Sequence, residues 1–202
     1  MNIEENTETF KRILRNTHRN GVKNVIEELD KLGFFTAPAS SKHHLAENGG
    51  LCQHSLNVYM QADSIRSAQF RLDNSMSEKI PMDSLTIVSL LHDVCKADVY
   101  KLGKKWRKNA QNQWEQYDAW DSDYTANPLD HGVKSVVMLM KMGLELNEAE
   151  IAAIRWHMAG WDLSNYRESR ECFGKACEKY PLLSVLIAAD ELATRITEVN
   201  HG

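Results

Sequence analysis

A histidine and an aspartate, His92-Asp93, stand side by side at the end of the apolar run Leu85-Thr-Ile-Val-Ser-Leu-Leu91. An apolar helix buries what lies at its end, and an ionised carboxylate taken out of water is costly unless a cation or hydrogen-bond donors compensate it. A metal ion meets that requirement. His54, His131, His157 and Asp190 repeat the oddity, each in or beside an apolar helical pattern. With His92 and Asp93 they make six nitrogen and oxygen donors, enough for two ions. Mixed imidazole and carboxylate ligation suits divalent manganese, iron, nickel, zinc or magnesium, whereas a tetrahedral structural zinc would recruit thiolates.

These donors need helices that converge. His157 follows Ile151 and Ile154 at steps of three and so shares their buried stripe. Asp190 falls at the end of Leu182-Leu-Ser-Val-Leu-Ile-Ala-Ala189, where an unpaired carboxylate would be expensive. His54 lies one turn into a helix that starts after Gly49-Gly50, and His131 opens another after Asn127-Pro128. Apolar spacing predicts a helix over 10–32, continuous or interrupted near Gly21, and further helices over 51–70, 83–96, 131–143, 147–159, 168–179 and 181–198. The exception is Tyr100 to Tyr124, where Lys104-Lys-Trp-Arg-Lys108, a turn-like Asn109-Ala-Gln-Asn112 and Trp114 to Trp120 predict a short β-hairpin. The expected fold class is all-α, with a hairpin insert around 100–124, and no internal repeat is present.

The ordered donors resemble the HD-domain superfamily, mostly metal-dependent phosphohydrolases. The matching residues are His54, the doublet His92-Asp93 followed by Lys96, and Asp190 within Ala188-Ala-Asp-Glu-Leu-Ala-Thr194. Locally, His43-His-Leu-Ala-Glu-Asn-Gly-Gly-Leu-Cys-Gln-His54 is similar to HD domains related to bacterial 3′-to-5′ exoribonucleases. The resemblance covers positions 40 to 195, and it implies one HD domain over 1–202, with a helical extension over 1–40 and a core over 41–198. It further implies a mononuclear set of His54, His92, Asp93 and Asp190, extended by His131 and His157 to a binuclear centre that Asp93 bridges. The glutamate and paired histidines of the cyclic-dinucleotide branch have no clear match.

Metal-bound water has its pKa lowered towards neutrality, and a second ion clamps a phosphate and stabilises charge on the leaving oxygen. The expected activity is hydrolysis of a nucleotide-like phosphomonoester or phosphodiester, with Asp93 and Lys96 as the catalytic pair. Lys96, one helical turn after His92, would hold a phosphate oxygen. Five basic residues in Lys101 to Lys108, interleaved with Trp106, suit one wall of a nucleotide pocket, with Lys105 and Trp106 as the contacts. The alternative there is a solvated hairpin. His43 and His44 divide between substrate contact and ordinary loop, and His44 is carried as a candidate contact. His18 and His201 are expected at the surface.

The net charge of −4 at pH 7 argues against an extended nucleic-acid surface, so a small phosphorylated substrate or an oligonucleotide end is the expected partner. The polar, acidic start Met1 to Glu8 is unlike a secretory signal, and no apolar stretch has the length of a membrane span. A cytoplasmic location follows as the expectation, and homo-oligomer formation stays open. Cys52, Cys95, Cys172 and Cys177 lack CxxC pairing and are expected as reduced thiols, with Cys95 buried beside the site. Two readings compete with hydrolysis: an HD-fold diiron oxygenase, which resembles the same donor set, and a non-catalytic nucleotide-binding module.

Overall fold

The structure is a computed structural model that describes residues 2–125, 127–161, 163–164 and 166–199, so His201 lies outside the described residues. The chain begins with α1 (Ile3–Arg15) and α2 (Val22–Leu32). Asn2 caps α1 by accepting from the Glu5 amide, and Glu4 and Glu5 at its start, with Arg12 and Arg15 at its end, complement the helix dipole. The helix therefore starts well before Phe10. The two helices are separate, because Gly21 takes a left-handed conformation, φ 90°, against the main chain of Gly143. A side chain there would collide with that backbone.

A loop pinned by main-chain hydrogen bonds leads to α3 (Gly50–Leu72), which packs on α5 (Met82–Leu91) and α10 (Pro181–Leu192). In α5 every residue from Ser84 to Leu91 is buried, so its C-terminal end is delivered into the core. The helix stops at Leu91 rather than continuing to Lys96. Nδ1 of His92 lies 3.0 Å from the Ser89 carbonyl, the acceptor that a continuing helix would offer to the Asp93 amide. Residues 92–95 form a turn, and the chain resumes as α6 (Lys96–Val99).

From α6 the hairpin projects as β1 (Tyr100–Lys108) and β2 (Trp114–Ser122), antiparallel with Tyr100 opposite Ser122 and Lys108 opposite Trp114. Its cross-strand charges are largely self-paired, Lys104 with Asp118, Lys105 with Asp121 and Arg107 with Glu115. Leu102, Trp106 and Trp114 stay exposed.

The second half brings α7 (His131–Lys141) onto α8 (Glu148–Trp156), which also packs on α10, while α4 (Met76–Lys79) and α9 (Arg167–Lys179) lie at the periphery. Asp130 caps α7 and the Asn147–Glu150 capping box starts α8. One hydrophobic cluster draws side chains from Phe10 through Ala193. The described chain is mainly helical, with one two-stranded sheet. Among the described residues no helix is long and apolar enough to cross a membrane.

Gly132 sets how closely α7 and α8 approach, since a Cβ at that position would run into the Arg155 main chain. Gly132→Ala is expected to cost about 1–3 kcal/mol, the scale of overpacking a close contact. The melting temperature should fall by roughly 2–4 °C for each kcal/mol lost. A thermal denaturation curve unchanged from wild type would show that the helices can part without penalty.

Candidate metal centre

All six sequence-predicted donors meet in the interior. His54 comes from α3, His92 and Asp93 from the turn that ends α5, His131 from the first position of α7, His157 from the residue closing α8, and Asp190 from α10. His54, His92, Asp93 and His157 are almost completely buried, while the side chains of His131 and Asp190 keep 23% and 19% of their surface exposed, Asp190 on the wall of a cavity. Rings of His92 and His157 are 4.8 Å apart at their centroids, those of His54 and His92 5.3 Å, and those of His131 and His157 5.2 Å.

Asp93 is at the centre, and its two oxygens face different histidines. Oδ1 lies 2.5 Å from Nε2 of His131 and 3.4 Å from Nε2 of His157. Oδ2 lies 3.5 Å from Nε2 of His54 and 3.4 Å from Nε2 of His92. Asp190 approaches Nε2 of His54 at 3.3 Å. Potential donor atoms fall into overlapping groups, among them His54 with His92 and Asp93, and Asp93 with His131 and His157, each within 4.8 Å. The groups overlap at His54, His92, Asp93 and His157, so the six residues form one continuous cluster of possible ligand atoms.

The histidines are oriented for ligation by what lies behind them. Nδ1 of His92 faces the Ser89 carbonyl at 3.0 Å, and Nδ1 of His157 faces the Ile154 carbonyl at 2.7 Å. A carbonyl only accepts, so each Nδ1 carries the proton and each Nε2 presents a lone pair when the ring is neutral. The same fold-back ends both helices, because each ring captures the carbonyl three residues earlier. The Nε2 atoms of His54, His92 and His157 are buried and without a hydrogen-bond partner. Lone pairs aimed at a carboxylate repel it, and a cation between them turns every contact favourable. The donor set and these orphaned nitrogens therefore fit divalent metal ions.

The electrostatics carry the same sign. Burial opposes charge on His54, yet the nearby carboxylates of Asp190, Asp93 and Glu198 draw its pKa well above the usual imidazole value. Burial likewise opposes the charge of Asp93, but Lys96, His92 and His131 hold its carboxyl well below the usual range. His131, opposed by burial and favoured by Cys95 and Asp93, is raised to about 10. His157 is lowered by burial, so the cluster does not protonate throughout. Without an ion, protons supply part of the positive charge that the carboxylates demand.

Lys96 enters this centre differently from its expected spacing. The helix ends at Leu91 and Lys96 opens α6 beyond the turn, with Nζ 2.6 Å from Oδ2 of Asp93. It also lines a cavity of about 970 Å³ that opens on the cluster, together with His43, His44, His157, Trp161 and Asp190. His44 lies above His54, ring centroids 5.1 Å apart, and burial with the nearby His54 and Lys96 charges lowers its pKa to about 4. Cys95 is buried, as expected, with Sγ 3.4 Å from Nδ1 of His131. His18 is exposed.

Lys105 and Trp106 are not part of the cavity lining. Lys105 is paired with Asp121 at 3.2 Å, and Trp106 is 61% exposed on the hairpin. The hairpin reaches the centre only at its base, where Tyr100 feels the charges of Lys96 and Asp93 and burial raises its phenol pKa. Glu198 is the residue that sequence reasoning missed. Its carboxylate lies 3.0 Å from Nδ1 of His54, carried there by the wide π-helical turn Ala193–Thr197 that follows α10. No family model, curated protein or solved structure matches this chain.

Proposed function

We propose that this chain is a metal-dependent phosphohydrolase of the HD type, cleaving a phosphomonoester or phosphodiester of a nucleotide-like substrate. The observation that carries the reading is Asp93, which turns one oxygen to His54 and His92 and the other to His131 and His157, with the Nε2 atoms of His54, His92 and His157 orphaned and that of His131 bonded to it. Support for an HD-type bundle comes from the convergence of α3, α5, α7, α8 and α10 on that carboxylate. His54, His92, Asp93 and Asp190 would hold one ion, and Asp93, His131 and His157 the other. Bound divalent ions supply an acidified water and neutralise phosphate charge. A degenerate binding module would lack part of this donor set.

The chain's own groups do the rest. Lys96 places an ammonium beside Asp93 and on the cavity surface, where a phosphate oxygen can share it. The cavity has the volume of a small-ligand site. Trp161, 77% exposed on the lining, offers a face for a base. A substrate touching Lys105 or Trp106 must extend beyond the cavity, as an oligonucleotide end would. The four free cysteines suit a reducing compartment, and the proposed setting is the cytoplasm.

Lys96→Ala tests the role of the ammonium. It should weaken kcat/KM on phosphorylated substrates by about 1.5–3 kcal/mol, the scale of a hydrogen bond to a charged group. Both ions should stay bound, since removing the lysine frees Asp93 for them. Wild-type kinetics on the best phosphoester of a broad panel would remove Lys96 from the mechanism.

A further inference from the structure

Glu198 has both oxygens committed to other side chains, and its own side chain is 1% exposed. Oε1 accepts from Nδ1 of His54 at 3.0 Å and from Nδ2 of Asn57 at 2.9 Å, while Oε2 lies 3.1 Å from the same His54 nitrogen. Asn57 is three residues beyond His54 on α3 and shares its face. The hydrogen bonds continue outward: Gln53 Nε2 donates to Asn57 Oδ1 at 2.8 Å, and Asn6 Nδ2 donates to Gln53 Oε1 at 2.8 Å. A carboxylate can only accept, so Glu198 fixes the direction of every amide in that series. It also keeps the His54 proton on Nδ1, which leaves Nε2 to face Asp93 and Asp190.

The opposite end of the cluster has no comparable backing. His131 rests its Nδ1 against the Cys95 sulfur at 3.4 Å, a weak acceptor, and its side chain is the most exposed of the four histidines at 23%. A second carboxylate, Asp190, lies 3.3 Å from Nε2 of His54 and also groups with His92 and His157, whereas His131 groups only with Asp93 and His157.

We propose that Glu198 is a positioning residue that makes the His54 half of the centre the tight site, so that the two ions load in sequence and the His131 half holds the exchangeable one. This rests on the reading that the cluster binds two ions. Partners behind a ligand histidine typically change metal affinity by about 10–100-fold, which sets the size of effect to look for.

The test is a manganese titration of the full chain after chelation, followed by calorimetry. Wild type should bind in two resolved steps. Glu198→Ala should weaken the first step by about 10–100-fold and leave the second in place. Glu198→Gln should recover much of that loss, since its amide oxygen can still accept from both His54 and Asn57, as Oε1 does here. Asn57→Ala, which leaves the carboxylate in place, should weaken the same step by less. In zinc-loaded protein, nitrogen NMR of His54 should show the proton on Nδ1 in wild type and lose that fixed signal in Glu198→Ala. Two ions bound by Glu198→Ala with wild-type constants would overturn the role of Glu198 and leave the metal centre standing. Equal loss of both steps, unrelieved by glutamine, would also overturn it. A wild-type chain that takes up no manganese or zinc would instead remove the metal centre and this proposal with it.

Discussion

Asp93→Ala is expected to lose both metal ions and, with them, all measurable hydrolysis. The expectation follows from the two oxygens, since Oδ1 faces His131 and His157 while Oδ2 faces His54 and His92. Removing the carboxylate takes a negative donor from each ion at once and leaves two cations without the shared negative charge that offsets their mutual repulsion. Metal ions contribute several kcal/mol of transition-state stabilisation, so the rate should fall by about 10³-fold or more. Asp93→Asn, which keeps the shape and removes the charge, should follow the same course. The check is metal content by elemental analysis beside turnover on a phosphoester. Either variant retaining two ions per chain would mean that Asp93 does not join the sites.

Metal loading should dominate the stability of the chain. At free ion about a hundredfold above its dissociation constant, one site adds about 2.7 kcal/mol. A chain of this size gains roughly 2–4 °C per kcal/mol, so two filled sites should raise the melting temperature by about 10–20 °C. The pH dependence has a definite sign. His131 is raised to about 10 in the metal-free chain, so its contribution is complete below the unfolded imidazole pKa and is lost as pH rises through about 10. A protonated histidine cannot ligate, so protons and ions compete for His131 and for His54, whose pKa is also raised. The gap between loaded and metal-free melting temperatures should therefore widen from mildly acidic to alkaline pH. A constant gap would show that the histidines are not the ligands.

The six residues that converge were legible in sequence because each is a polar side chain in or beside an apolar helical pattern, and because their order resembles that of one known superfamily. The hairpin was equally visible, through its turn residues and paired aromatic runs. Other features depend on local competition that periodicity does not record. The break after Leu91 arises because the His92 ring takes the Ser89 carbonyl, and the same act by His157 on Ile154 ends α8. Both breaks aim ligands inward, yet the apolar pattern runs through them unmarked. Glu198 follows a π-helical turn, so its place over α3 cannot be read from helical spacing. The cavity walls include Leu45 and Ala159, non-glycine residues at φ 45°, a backbone state that composition gives no reason to expect. Lys105 and Trp106 looked like pocket residues because charge and aromaticity alternate along β1, but neither lines the cavity, Lys105 being paired with Asp121 and Trp106 exposed.

The same donors suit an oxygen-activating diiron centre, and the two chemistries ask different things of the metals. Hydrolysis needs Lewis acidity alone, whereas an oxygenase must cycle iron between oxidation states. The decisive measurement is release of phosphate or nucleotide from a panel of small phosphoesters by chelated protein reloaded with manganese under strict anaerobiosis. Turnover that appears with manganese, persists without oxygen and vanishes in Asp93→Ala is the predicted result. No cleavage of any phosphoester, together with a reaction that runs only with iron and dioxygen, would contradict it.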